Sequence, residues 1–168
     1  MNIQEISNEQ LGHLKNAWET HSTDWFIEHI DPRFFDLLNK INRHPEMVTM
    51  YHCSGHTLAE NSDDGSVSSY MVIGSRGKAR KQLIAVVSEL MTQPEYNKNP
   101  QPSYNYLGWQ FEISNTPVTP WYHNAPKLDM KGAPTLVMRH RKAHLEDPTG
   151  QETVRIWNEL FDQHIFNI

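Results

Sequence analysis

Val48-Thr49-Met50-Tyr51-His52-Cys53 and Ser68-Ser69-Tyr70-Met71-Val72-Ile73 decide the fold, because in both the hydrophobic period falls from 3.6 to 2. Between them lies Asn61-Ser62-Asp63-Asp64-Gly65-Ser66, a turn cluster whose Asp-Gly pair accepts positive φ. The two runs read as an antiparallel hairpin, with a bulge or bend at Ser54-Gly55. In that pairing Gly74 stands opposite the start of the first strand, near Val48. A helix follows over about Ser75 to Met91. Its apolar stripe of Ala79, Leu83, Val86, Val87, Leu90 and Met91 is the clearest periodic signal in the chain.

Outward from this unit the elements alternate in type. Ser7-Asn8-Glu9-Gln10 is a capping box, and Leu11, Leu14 and Trp18 give residues 8–20 a helical face. Asp31-Pro32 starts a second helix as N-cap and first helical position, with Phe34, Leu37, Leu38 and Ile41 as its stripe and His44-Pro45 as its stop. Trp25, Phe26 and Ile27 fall between these helices and read as a packed plug. Beyond the Pro-rich connection at 93–103, Tyr104 to Ile113 alternates as a half-buried strand, and Thr135 to Arg139 is a short one. Thr149-Gly150-Gln151-Glu152 caps a last helix buried through Val154, Trp157, Leu160, Phe161 and Ile165. The order predicts an α+β (mixed α/β) single domain over 1–168, a largely antiparallel sheet of about four strands with helices packed on it. Its core lies in 31–113, and the helices at 8–20 and 149–165 pack on that core.

Composition narrows the function. The chain has 168 residues, 15 Lys plus Arg against 20 Asp plus Glu, and a net charge of −5. That balance argues against a general duplex-DNA coat and leaves room for a local basic face. A single cysteine excludes an intramolecular disulfide and the common Cys-based zinc sites, so no metal or other cofactor is expected. Met1 to Gln10 lacks the basic flank and apolar run of a secretory signal, and no stretch approaches the ~18 apolar residues of a membrane span. A soluble, cytoplasmic protein with no membrane partner is the expectation; the oligomeric state is open.

Four constellations could carry chemistry. In Gly74-Ser75-Arg76-Gly77-Lys78 a strand passes into a helix through two glycines, and Arg80 and Lys81 add further charge. Basic residues in a first helical turn oppose the dipole unless an anion offsets them, and free amides there can hold phosphate. The spacing is not that of a Walker loop; the alternative is a glycine-opened helix with solvated cations. His52-Cys53-Ser54-Gly55-His56 offers His52, Cys53 and His56 as candidate acid–base or nucleophilic groups and Ser54 and Gly55 as ligand contacts. It reads equally as a bulged hairpin with a buried Cys. Arg139-His140-Arg141-Lys142-Ala143-His144 is the densest cationic run, with Arg139 and Arg141 as candidate phosphate contacts or as part of a solvated face. Trp121-Tyr122-His123 could stack on a base through Trp121 and His123, or pack back on the core.

Asp31 through Met91 also has a recognisable shape: a helix ending in Ile41-Asn42-Arg43-His44-Pro45, a strand ending in Cys53-Ser54-Gly55, a hairpin return and a helix. It resembles the wybutosine-synthesising tRNA methyltransferase family, whose strand carries Ser-Cys-Ser-Gly-Arg. It also looks like small phage-encoded proteins with Cys-Ser-Gly-His at that place. The resemblance covers about a third of the chain. His52 replaces the family's Ser and His56 its Arg, and losing the arginine removes a bidentate anion contact, so methyl transfer and the tRNA substrate do not carry over. What the resemblance implies is an α/β hairpin-plus-helix core with a ligand-facing loop at Cys53–His56.

The leading expectation is therefore a small phage-type protein binding a phosphorylated ligand, a nucleotide or RNA, at the glycine-opened helix. The alternatives are a phage-encoded inhibitor of a host or defence factor working by protein–protein contact in the host cytoplasm, through a patch including Tyr104, Tyr106 and Phe166-Asn167-Ile168, and an enzyme using His52, Cys53 and His56.

Overall fold

The computed structural model describes residues 5–53, 69–92, 109–114, 135–140 and 151–166. In chain order these form α1 (Asn8–Thr20), α2 (Thr23–His29), α3 (Phe35–Arg43), β1 (Met47–Cys53), β2 (Ser69–Ser75), α4 (Gly77–Thr92), β3 (Trp109–Ser114), β4 (Thr135–His140) and α5 (Gln151–His164). The protein is thus of mixed helix-and-sheet class.

Local sequence accounts for most boundaries. The capping box of α1 is formed, Ser7 Oγ accepting from the Gln10 amide and Gln10 Oε1 from the Ser7 amide, at 3.0 and 2.8 Å. Asp31-Pro32 does not open the next long helix. Asp31 instead closes a turn ahead of it, its carboxylate accepting from the Arg33 amide at 3.0 Å and its carbonyl from the Phe34 amide at 2.9 Å. Helical geometry then starts at Phe35. Phe34, Leu37, Leu38 and Ile41 are fully buried, as their spacing requires, each contributing roughly 1.5–3 kcal/mol.

β1 and β2 pair antiparallel with Val48 opposite Gly74, the expected register. Backbone ladders then run from β2 to β4 and from β4 to β3, all antiparallel, in the order β1-β2-β4-β3. The first arm does hold an irregularity, at Met50 where the register shifts between Thr49 and Tyr51; Ser54 and Gly55 lie outside the described residues. One extra residue inverts the alternation of everything after it. Thr49 meets α3 and Met50 the opposite side, yet His52 is back on the α3 side against Phe34, ring centroids 4.5 Å apart.

Both faces of the β1–β2 pair are covered. On one, Met47, Met71 and Ile73 pack with Trp18, the α3 stripe, Ala79 and Leu83 of α4, and Trp157, Leu160 and Phe161 of α5. On the other, Val48, Met50 and Val72 pack beneath Ile6, Leu11 and Leu14. Two buried polar links fix the first layer. Asn42 on α3 accepts from the Thr49 amide at 2.8 Å and donates to its hydroxyl at 2.7 Å. The Trp157 indole donates to Ser69 Oγ at 2.6 Å, so a large apolar body is buried with its polar atom satisfied.

Candidate functional site

The start of α4 has its own anions. Arg76 precedes the helix, its amide donating to the Glu46 carbonyl at 3.0 Å and its guanidinium to Asn8 Oδ1. The Glu46 carboxylate accepts from the Ala79 amide at 2.8 Å, and the Glu5 carboxylate from the Gly77 amide at 3.2 Å. These are the donors a docked phosphate would use. Two carboxylates supply the negative charge that the basic first turn lacks. Two of the amides expected to meet an outside anion are thus occupied by carboxylates from thirty and more positions away. Gly77 takes φ +58°, and a Cβ there would lie 2.8 Å from the Glu46 carboxyl carbon, so glycine is needed for the chain to close over that side chain.

The neighbouring candidates divide. Gly74 faces inward, where a Cβ would sit 3.2 Å from both Ile6 Cδ1 and Met50 Sδ, so it is a packing glycine under the N-terminal segment. Ser75 is the last residue of β2 and is buried. Lys78 is exposed and Arg80 half-buried, on α4 rather than around an open loop. His52 Nε2 is buried with no hydrogen-bond partner, and burial pushes its pKa down to about 4 despite the opposing Asp31 charge. At neutral pH it is an uncharged ring against Phe34, unlike a solvent-facing base. Cys53 ends β1 opposite Tyr70. Arg139 and His140 belong to β4, with Arg139 backbone-paired to Tyr70 and Gln110, so the expected loop begins later than Arg139. Ser54, Gly55, His56, Trp121, His123, Arg141, Tyr104 and Tyr106 lie outside the described residues. Phe166 is half-buried and packs against Phe161, centroids 5.5 Å apart, while Asn167 and Ile168 lie outside the described residues.

The hinge between α3 and β1 is fastened from α1. Lys15 Nζ donates to the Asn42 carbonyl at 2.6 Å and to the His44 carbonyl, placing a cation on the C-terminal end of α3. His44 Nδ1 accepts from the Glu46 amide at 3.1 Å, which requires the neutral ring. Burial, then the Lys15 charge, lower its pKa. The same bend delivers Glu46 to α4. Beside it a hollow of about 400 Å³ is lined by Lys40, Arg43, His44, Asp162 and Phe166.

The feature that periodicity missed is α2. Trp25-Phe26-Ile27 is the middle of a seven-residue helix capped by Ser22 Oγ on the Trp25 amide at 3.1 Å; Trp25 and Phe26 pack against the core as the plug reading expects, and Ile27 does not. None of its residues is buried. Phe26 leans inward, edge-on to Trp18 at 5.0 Å and to Phe35 at 5.4 Å. Trp25 stacks between His21 and His29, at 3.5 and 4.7 Å. Ile27 is turned out, 73% exposed, the one large hydrophobic so placed among the described residues. Beside it opens a hollow of about 500 Å³ lined by Thr23, Phe26, Ile27, Ile30, Pro32 and Phe35. The sequence signal was Ser22-Thr23-Asp24, an N-cap followed by an acidic first turn.

Among the described residues no group of His, Cys, Asp and Glu could hold a metal, and no helix is long and apolar enough to cross a membrane. Fold and surface define a mixed helix-and-sheet protein in which, among the described residues, Ile27 of a short helix is the exposed large hydrophobic. No family model, no curated protein and no solved structure matches the chain.

Proposed function

We propose that this protein acts by binding another protein, and that α2 is the contact element. The observation that carries this is Ile27, standing out of a short helix beside an apolar hollow that the described residues leave open. A large aliphatic side chain that exposed contributes nothing to folding and costs solubility, whereas as an anchor it supplies the buried centre of an interface. The expectation of contact with a host factor, as for the phage-encoded proteins the chain resembles, is consistent with such a surface. With it goes a largely antiparallel sheet of about four strands; the direct backing of α2 is Trp18 and Phe35, against which Phe26 packs edge-on. The test compares capture from host extract by the wild-type chain and by Ile27→Asp. A partner retained by the wild type and lost from the folded variant supports the proposal; equal retention by both overturns it.

One observation favours the second reading, a phosphorylated ligand, at a different place. Arg43, exposed and without an ion-pair partner among the described residues, lines the hollow at the end of α3 beside Lys40, which pairs with Asp162 at 3.8 Å. Titration with inorganic phosphate and nucleotides, followed by amide shifts at residues 40–44, tests it. Absence of shifts there removes the phosphate reading.

A further inference from the structure

We infer that the α2 surface takes an apolar segment that carries Lys or Arg at its edge. This rests on α2 being the contact element and adds the chemistry of the partner. Asp24 and Glu28 are both exposed and have no ion-pair partner among the described residues. Four residues apart on one helix, they are neighbours of like charge, an arrangement that destabilises an isolated helix by a few tenths of a kcal/mol. Asp24 has a local reason, since a carboxylate in the first turn suits the dipole. Glu28 has the opposite: it stands in the last turn, where the dipole favours a cation. Asp24 is also three residues from Ile27, so the acidic edge borders the same hollow that Thr23 and Ile27 line. A further carboxylate, Asp36, is exposed next to Phe35, which forms the far wall. Arg33, the nearby cation, is committed to Asp31 at 2.5 Å. An apolar hollow with an uncompensated acidic border is complementary to an amphipathic segment whose basic side chain bridges Asp24 and Glu28.

The experiment uses the full chain and two synthetic amphipathic peptides with the same leucine anchors, one flanked by lysines and one by glutamates. Binding is read from amide shifts at Ile27 and Ile30 and from affinity at low and moderate salt. The lysine-flanked peptide is expected to bind about tenfold more tightly, the worth of two rim charge pairs. That preference should shrink to less than about twofold in Asp24→Asn/Glu28→Gln and on raising salt. Equal binding of the two peptides at α2 overturns the charge inference and leaves the contact role standing. No shift at Ile27 with either peptide also overturns it. The contact role itself falls only if Ile27→Asp retains host proteins as the wild type does.

Discussion

At the scale of single residues, Gly77 and His52 show how a position can look functional in sequence and be structural in fact. Gly77 sits at φ +58° against the Glu46 carboxylate, so Gly77→Ala meets a left-handed backbone and must push that carboxylate aside from the Ala79 amide. We expect that variant to lose about 1–2 kcal/mol in chemical denaturation. His52 works through its proton. Its folded pKa is lowered from 6.5 to about 4, so on acidification the unfolded chain takes up a proton that the folded chain refuses. The stability it permits is complete above pH ~6.5 and drains away as pH falls toward 4, where the folded ring protonates as well. Between pH 7 and pH 5 the wild type should therefore lose about 2 kcal/mol more than His52→Leu. Identical losses would mean that the ring is hydrated in the folded state. His44, lowered by burial and by Lys15, adds to the same slope. Neither effect is legible in sequence, because each depends on what tertiary packing brings to the ring.

At the scale of elements, readability followed period and cap. α1, α3 and the β1–β2 register follow from repeats and turn residues that act over a few positions: Ser7 and Gln10, the 34-37-38-41 stripe, and the return that sets Gly74 against Val48. α2 was missed because three consecutive large residues show no period, and a seven-residue helix gives too few turns to reveal one. The start of α4 was misread for a different reason. Its basic first turn did demand an anion, but the anion is Glu46, reached through the bend after α3, and Glu5 from the opposite end of the chain. Sequence exposes a need for charge, not who meets it. The α3–β1 joint makes a prediction of its own. Asn42 makes two buried hydrogen bonds to Thr49, so Asn42→Ala removes both and should cost about 2–3 kcal/mol by thermal or chemical melts. Substituting the exposed Ile27 with Asp should change stability by less than about 0.5 kcal/mol, which is what qualifies it as a probe of function.

For the whole molecule, the buried apolar residues form two layers around the β1–β2 pair, and α2 lies on the margin of one of them, packed through Trp25 and Phe26 and with Ile27 exposed beside a hollow. At the start of α4 two amides are taken by the protein's own carboxylates, while on α2 Ile27 stands exposed beside packed Trp25 and Phe26. These two places give the account its most direct measurement: a photo-crosslinking amino acid placed at position 27 in one copy of the 168-residue chain and at position 78 in another, each irradiated in living bacterial cells. The account predicts a discrete protein adduct from position 27 and none from position 78. Adducts to nucleotide, RNA or protein from position 78, with position 27 silent, would contradict it.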